Sequence, residues 1–305
     1  MVKKKFYGMK NDYMFKAVLQ SSEEVLKNLV SVLLEIDEDK ILSCEIQNAF
    51  ELGNSVDSKD CILDVKVLLN NQEMIDLEVQ VKNEYNRPER SLLYWSRSYD
   101  SLKDGQSYNK LKRTYQIGIL DFTLFQDNPS FYAEYMVKDT KTGYLYSDKL
   151  NIRVLDLTKI DAAQADKHTN PKLLKWAKIF KAKSMKELEG LAIGEEVFNK
   201  MVAKIKELSE DEKVRLQCQA RFDYECRLLG QYELGEKNGI EKGMQLGIEL
   251  ERIKVIMKKY VNGKSIELIA KEMELDVAEI EDYYDIIANN PDALAEEIYS
   301  LKLSN

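Results

Sequence analysis

The chain has 305 residues, of which 44% are hydrophobic, enough to bury the core of one large or two smaller domains. Its net charge of −8 excludes a basic surface over the whole molecule, so any nucleic-acid site must be a local patch. No apolar stretch approaches the roughly 20 residues of a membrane span, which predicts a soluble, intracellular protein.

Two helices are predicted at the start of the chain, over residues 11–35. Asn11 or Asp12 can cap the first helix, and Ser21 or Ser22 can cap the second, because their side chains accept hydrogen bonds from unpaired backbone N–H groups. Apolar residues follow each cap at helical spacing.

Strands dominate the next part of the chain. Residues 70–73 suit a hairpin turn between the second and third of them, and residues 88–104 predict a helix with Pro88 in its first turn. The run at 115–125 is apolar throughout, which predicts a buried central strand. The six predicted strands cover residues 41–50, 61–69, 74–82, 115–125, 131–137 and 151–157.

The strand pattern stops near residue 158, and residues 172–260 have helical character. Mixed strands and helices followed by helices alone predict two parts. We therefore expect an α/β domain over residues 1–158 and an all-helical region over residues 159–305.

Cysteine and histidine usage narrows the chemistry. Cys44, Cys61, Cys218 and Cys226 show no paired spacing, which predicts free thiols in a reducing cytoplasm rather than a zinc site. His168 is the only histidine and has no nucleophile motif beside it, so we place it in a surface loop. If the chain is an enzyme, carboxylates and a hard metal ion are the expected tools.

Acidic side chains concentrate on one face of the predicted hairpin. Because side chains alternate along a strand, Asp76, Glu78, Gln80 and Lys82 share a face, and Asp64 can stand beside them if the two strands pair. Two close carboxylates repel each other, and Mg²⁺ relieves that repulsion. By spacing alone, an ordinary solvated sheet face remains an alternative.

A metal at this position could polarise a phosphodiester and lower the pKa of a bound water. The backbone carbonyl of Val79 is a plausible extra ligand. Gln80 could orient the water or hydrogen-bond a phosphate oxygen, although its amide carries no positive charge.

Five short motifs, in order, resemble the Rpn family, the recombination-promoting nuclease and transposase-like group. The opening Asn11-Asp12-Tyr13-Met14-Phe15-Lys16 resembles that family's first motif, and Asp64 and Glu78-Val79-Gln80 resemble its Asp and ExQ elements. The resemblance covers roughly residues 8–158. Its downstream part consists of Arg90, Tyr94, Tyr99, Gly105, Tyr108 and the strand at 117–125.

The resemblance implies a restriction-endonuclease-like fold of the PD-(D/E)xK superfamily, a mixed sheet flanked by helices, with Mg²⁺-dependent cleavage of DNA. It implies Asp64 and Glu78 as metal ligands. Gln80 stands where the wider superfamily has a catalytic lysine, so the source of positive charge is open between Lys66 and Lys82. Asp12 either reaches the metal or caps the first helix.

Residues 80–113 have a net charge of +4 and interleaved aromatic residues, which indicates a local surface for a phosphate backbone. An amphipathic helix with ordinary surface charges would give the same pattern.

The helical tail has two distinctive features. Gly235, Gly239, Gly243 and Gly247 fall near one helix face, which favours self-association into a homo-oligomer, with flexible linkage as the alternative. Residues 265–285 resemble a helix-turn-helix outline, but their net charge of −7 opposes a phosphate-lined groove. That segment is therefore predicted to pack or to contact protein.

The function expected from these patterns is a Mg²⁺-dependent DNA endonuclease. A non-catalytic assembly protein that retains a nuclease-like fold is the rival class, and an RNA nuclease stays open because the sequence shows no element that reads a DNA groove.

Overall fold

The first two helices of the chain begin at side chains that cap them. The computed structural model describes residues 5–49, 64–100, 102 and 104–304. Helix α1 covers Asp12–Ser21, and the Asn11 side chain accepts a hydrogen bond from the backbone N–H of Met14. Helix α2 covers Glu23–Leu34 and is capped in the same way by Ser22. Of the two pairs of alternatives, Asn11 and Ser22 are therefore the caps.

Within residues 5–49 and 64–304, apart from 101 and 103, six strands form one mixed sheet in the order β1-β2-β3-β4-β6-β5. The pairs β3/β4 and β4/β6 are parallel, and the other three pairs are antiparallel. The predicted mixed sheet is confirmed, with the apolar run at its centre. The strands are β1 (Cys44–Ile46), β2 (Val65–Leu69), β3 (Glu73–Gln80), β4 (Arg113–Leu120), β5 (Tyr132–Lys138) and β6 (Leu145–Asp156).

The turn between β2 and β3 makes the predicted hairpin. Asn70 and Asn71 both have positive φ angles, of 49° and 56°, which asparagine tolerates better than most residues. The predicted strand at 61–69 is described from residue 64 onward, and its first three residues lie outside the described part of the chain.

Nine further helices are present in the described part of the chain. Helix α3 follows β3 and precedes β4 in the chain, and it ends at Tyr99, five residues before the predicted end of this helix. The helices are α3 (Arg87–Tyr99), α4 (Ile160–Ala165), α5 (Pro171–Lys181), α6 (Met185–Ala192), α7 (Glu196–Glu210), α8 (Glu212–Val261), α9 (Ile266–Glu272), α10 (Val277–Asn289) and α11 (Ala295–Ser304).

The two faces of the sheet differ in chemistry. Val65, Leu77 and Ile117 are buried on one face, in a continuous core with apolar side chains of α1, α2, α5 and α7. Trp176 and Phe180 are among the largest side chains in that core. The opposite face holds buried polar groups next to α3, so the apolar core lies on one side of the sheet and the buried polar side chains on the other.

The chain divides into two compact units, residues 1–226 and 227–305. The predicted domain boundary is at 158/159, where the strands end. The compact unit that holds the sheet extends further because α5, α6, α7 and the first part of α8 bury their apolar side chains in the same core as the sheet. Fold class is thus readable from strand patterns, whereas the extent of a unit depends on which helices share its core.

The second unit has a core of its own. Isoleucines of the last part of α8 pack with those of α9, α10 and α11, and Asp276 and Glu279 form a reciprocal capping box at the start of α10. Both helices of the predicted helix-turn-helix outline are present. The core isoleucines are Ile253, Ile256, Ile269, Ile280, Ile287 and Ile298.

The remaining expectations on composition concern single residues. Within the described residues, Cys44, Cys218 and Cys226 form no disulfide, and Cys61 lies outside them. His168 is exposed, in a turn before α5. Across the part of the chain that the structure describes, no helix is both long and apolar enough to cross a membrane.

Candidate active site

The β2–β3 pairing gathers the acidic residues on the polar face of the sheet. Val65 pairs with Leu77 and Lys66 with Asp76, so Asp64, one residue before the paired segment, stands beside Glu78. Asp64, Asp76, Glu78 and Gln80 are all buried. Val79 points the other way and packs against the apolar core, which leaves only its backbone for the role that the sequence suggests.

Burial and mutual repulsion make these carboxyls hard to ionise together. Burial raises the pKa of Asp64 well above its usual range, and the nearby Asp76 and Glu78 raise it further. The pKa of Asp76 is raised by burial and then by Glu78, against the opposing charges of Lys66, Arg87 and Lys16. A cation placed among these groups would therefore stabilise their ionised forms.

Two arginines of α3 pair with Glu78. Arg87 donates from Nη1 to Oε2 of Glu78, and Arg90 lies with Nη2 at 2.6 Å from Oε1. Arg90 also reaches Glu84 at 3.3 Å. Arg87 is only 1% exposed, and a buried guanidinium is stable only when it is paired. Both oxygens of Glu78 therefore face positive charge, at the point where the sequence resemblance lacks a lysine.

A glycine on the neighbouring strand makes room for Arg87. Gly118 of β4 lies in register with Glu78 of β3. A Cβ atom on Gly118 would come within 2.4 Å of Arg87 Nη2, closer than any real contact. The guanidinium thus lies over the backbone of β4 because that position has no side chain.

Several buried polar atoms on this face have no hydrogen-bond partner among the described residues. They are Asp76 Oδ1, both amide atoms of Gln80 and of Gln116, Nε and Nη2 of Arg87, and Nε of Arg90. Because buried polar groups are normally paired, unpaired acceptors beside unpaired guanidinium N–H groups indicate a site for an external polar ligand.

The donor types fit a hard divalent cation. Carboxylate oxygens are what Mg²⁺ prefers, and Mg²⁺ usually takes one or two carboxylates together with water and substrate phosphate. Among the described residues, no group of three or more His, Cys, Asp or Glu side chains is gathered to hold a metal by itself.

The three lysines near the site differ in their partners. Lys82 donates to the backbone carbonyl of Glu225 on α8, so its ammonium is engaged outside the carboxylate group. Lys66 stands opposite Asp76 across the hairpin. Lys16 of α1 is buried and donates to the backbone carbonyl of Asp64 at 3.1 Å. Of the two predicted sources of charge, only Lys66 faces a site carboxylate.

Sequence reasoning passed over several residues of this site. Asp76 lies on the predicted polar face, but its position alone assigns it no role. Lys16 and Arg90 belong to the motifs that resemble the Rpn family, and those motifs assign them no role either. Arg87 carries no signal beyond its charge, and Gly118 is one glycine in an apolar strand. Only the tertiary approach of α3 to β3 and β4 brings these residues together.

Asp12 points to α8 rather than to the carboxylates. It is the first residue of α1, and Arg221 Nε lies at 2.9 Å from its Oδ2, with a second contact from Nη2. The helix is capped by Asn11, and Asp12 pairs with Arg221. Contact of Asp12 with a metal stays a prediction.

Glu225, near this pair, should make stability depend on pH. Burial, followed by Asp12, raises the pKa of Glu225 to about 7, against Arg221, Lys82 and Lys10. The folded state favours the neutral acid, so this contribution is complete below the ordinary carboxyl pKa of about 4 and is lost as pH rises to about 7. We expect Glu225→Gln to raise the melting temperature at about pH 8 and to have little effect near pH 4. An equal shift at both pH values would contradict this.

Basic residues of the predicted segment 80–113 lie in different places. Arg87 and Arg90 pair with Glu78. Lys110, Lys112 and Arg113, together with Lys149, line a groove of about 450 Å³ near the β2–β3 turn. The side chains of Tyr85 and Tyr108 are largely exposed. Lys103 lies outside the described residues.

The sequence profile of the PD-(D/E)XK nuclease family transposases matches residues 9–227. The chain belongs to this family. The match covers most of the first unit, including every residue of the candidate site, and this PD-(D/E)XK family member has the mixed sheet with flanking helices expected of such a fold. No curated protein and no solved structure matches the chain.

Proposed function

We propose that this PD-(D/E)XK family member is a Mg²⁺-dependent endonuclease that hydrolyses phosphodiester bonds of DNA. The observation that supports it best is the buried group of Asp64, Asp76 and Glu78, with two arginines on Glu78 and unpaired polar atoms around it. Three buried carboxyls and two guanidinium groups suit a substrate that brings a phosphate and a hard cation together.

Asp64, Glu78 and the backbone carbonyl of Val79 would hold the Mg²⁺ ion, which when bound polarises the phosphodiester and makes its water more acidic. Arg90 binds a non-bridging phosphate oxygen through its unpaired Nε, while Arg87 holds Glu78 in place. Gln80 orients the attacking water, since its amide can accept one hydrogen bond and donate another. The closely packed sheet and α3 keep these groups in place and limit the access of bulk water.

The family description supports the DNA role, because a transposase acts on DNA, and we extend the proposal to cleavage that promotes recombination or transposition in the cytoplasm. The basic groove at Lys110 and Lys112 offers a second contact for the phosphate backbone. The rival function is a non-catalytic assembly protein that keeps the fold.

Supercoiled plasmid nicking tests the proposal. The wild-type chain should nick plasmid with Mg²⁺ and lose that activity with a chelator, and Asp64→Ala and Glu78→Ala, purified identically, should be inactive. Equal activity in all three preparations would mean a contaminant or another site. No cleavage by wild type on plasmid, single-stranded DNA or RNA favours the assembly protein.

We further propose that the C-terminal helices form a homo-oligomer through the glycine face of α8. Gly235, Gly239, Gly243 and Gly247 have nothing within 4 Å of where a Cβ would lie. Four helical glycines in open space cost about 1 kcal/mol each against alanine, which a close approach by a second copy would offset.

Substitution of all four glycines by alanine distinguishes a homo-oligomer packed on this face from a helix with no partner there. If a second copy packs there, the fourfold alanine variant should show a lower solution mass by light scattering, as should removal of residues 228–305. Without such packing, the substitutions only stabilise the helix and leave the mass unchanged. Gly190→Ala, in α6 and also in open space, is the matched control.

A further inference from the structure

An apolar cavity of about 340 Å³ adjoins the candidate site on the same side of the sheet. Residues of α3, β5, β6 and the segment after β4 form its walls. Apart from Arg87 and Ser91, the walls are apolar or aromatic, and they include Leu92, Phe125, Tyr135, Met136 and Val154.

Arg87 belongs to both the cavity and the carboxylate site. Glu78, Gly118 and Val154 lie in register across β3, β4 and β6, and the guanidinium of Arg87 lies over Gly118 between the other two. Since neighbouring strands are about 4.8 Å apart, the cavity floor at Val154 begins about 10 Å from Glu78. The two places are within reach of one nucleotide.

Two aromatic rings give the cavity a rigid wall. Phe125 and Tyr135 pack edge to face, with ring centroids 6.4 Å apart. Asn128 donates a hydrogen bond to the Tyr135 hydroxyl at 3.0 Å, which fixes the orientation of that ring. Walls of this kind accept a flat aromatic group and reject a phosphate or a sugar, which would lose hydration without compensation.

The unpaired N–H groups of Arg87 define which flat group fits best. One end of the guanidinium holds Glu78, and its Nε and Nη2 are buried without a partner among the described residues. Arginine only donates hydrogen bonds, and two adjacent N–H groups match the O6 and N7 acceptors of guanine.

We propose that this cavity binds a single unpaired nucleobase of the DNA strand beside the cleaved phosphate, and that it prefers guanine. The inference rests on the proposed nuclease function for its context, because the phosphate would occupy the neighbouring carboxylate site. Arg87 then joins the two: it holds Glu78 with one edge and contacts the base with the other. Extracting a base from its stack in this way is a known means of gaining access to a strand.

Methyl NMR of the full-length chain tests base binding directly. Met136 lines the cavity, and a Met136→Leu variant identifies its methyl signal among those of the ten methionines. We expect titration with dGMP to shift this signal through the ring current of the base, and dTMP to need at least about tenfold higher concentration. Deoxyribose 5-phosphate, which lacks a base, should not shift it.

Two neighbouring leucines provide a matched pair of variants. Leu92 and Leu93 are both 48% exposed on α3, but only Leu92 lines the cavity. Leu92→Trp should fill the cavity and abolish the dGMP response, and Leu93→Trp should preserve it. The proposal is overturned if Met136 ignores dGMP, if deoxyribose 5-phosphate shifts it equally, or if both variants respond alike. Loss of plasmid nicking with the Met136 response intact would count against the nuclease function alone.

Discussion

Asp64→Asn and Glu78→Gln should each lower the rate of Mg²⁺-dependent plasmid nicking by at least about 10²- to 10³-fold. Both changes keep the size of the side chain but remove the charge that a cation needs. Initial nicking rates at saturating Mg²⁺ measure the loss. Glu207→Gln is the control, since Glu207 lies on α7 outside the site and the basic groove and pairs with Lys204; its rate should stay within about twofold of wild type.

The same two variants should differ in stability, which separates a catalytic role from a structural one. Burial raises the pKa of Asp64, so the folded state disfavours its ionised form, and Asp64→Asn should melt no lower than wild type at neutral pH. Glu78→Gln removes the charge that pairs Arg87 and Arg90, and it should destabilise by about 1–3 kcal/mol. If Glu78→Gln melts like wild type, the arginines are not held as the structure places them.

Gly118→Ala should cost about 1–3 kcal/mol of stability and lower the nicking rate about 10- to 100-fold. The new Cβ would lie 2.4 Å from Arg87 Nη2, so the guanidinium, which is buried and paired with Glu78, must shift from its place over β4. Chemical denaturation and initial rates measure the two effects.

A double-mutant cycle identifies Arg87 as the cause. In an Arg87→Ala background the space above Gly118 is open, so Gly118→Ala should then cost almost nothing, and the coupling should account for most of the single-variant loss. Gly190→Ala, a glycine in open space, should be neutral or stabilising by up to about 1 kcal/mol. Equal costs of Gly118→Ala in both backgrounds would place the strain elsewhere.

Local patterns predicted much of this fold. Alternation over 74–82, the polar turn at 70–73 and the apolar run at 115–125 correspond to β3, its hairpin and the central β4. Each depends on contacts between neighbours in sequence or on one face of one strand, so the residues themselves carry the information. The same alternation brings Asp64 and Glu78 to one face.

The features that the sequence did not predict depend on tertiary contacts. Arg87 and Arg90 read as surface charges of an amphipathic helix, and nothing in their spacing says that α3 turns them onto Glu78. The space that Gly118 leaves for Arg87 becomes apparent only when β4 lies beside β3. The compact unit that contains the sheet extends to residue 226 because the helices after β6 share its core, which no change of composition marks.

The arginines on Glu78 also change what can be controlled. A lysine two residues after Glu78 would move only with the strand that holds the carboxylates. Here the two positive charges that pair with Glu78 reside on α3, a helix that the chain reaches after leaving β3. Glu78 and its guanidinium partners thus lie on separate elements, and a ligand that moves α3 relative to the sheet would change the electrostatic potential around Glu78 while the carboxylates stay on their strands.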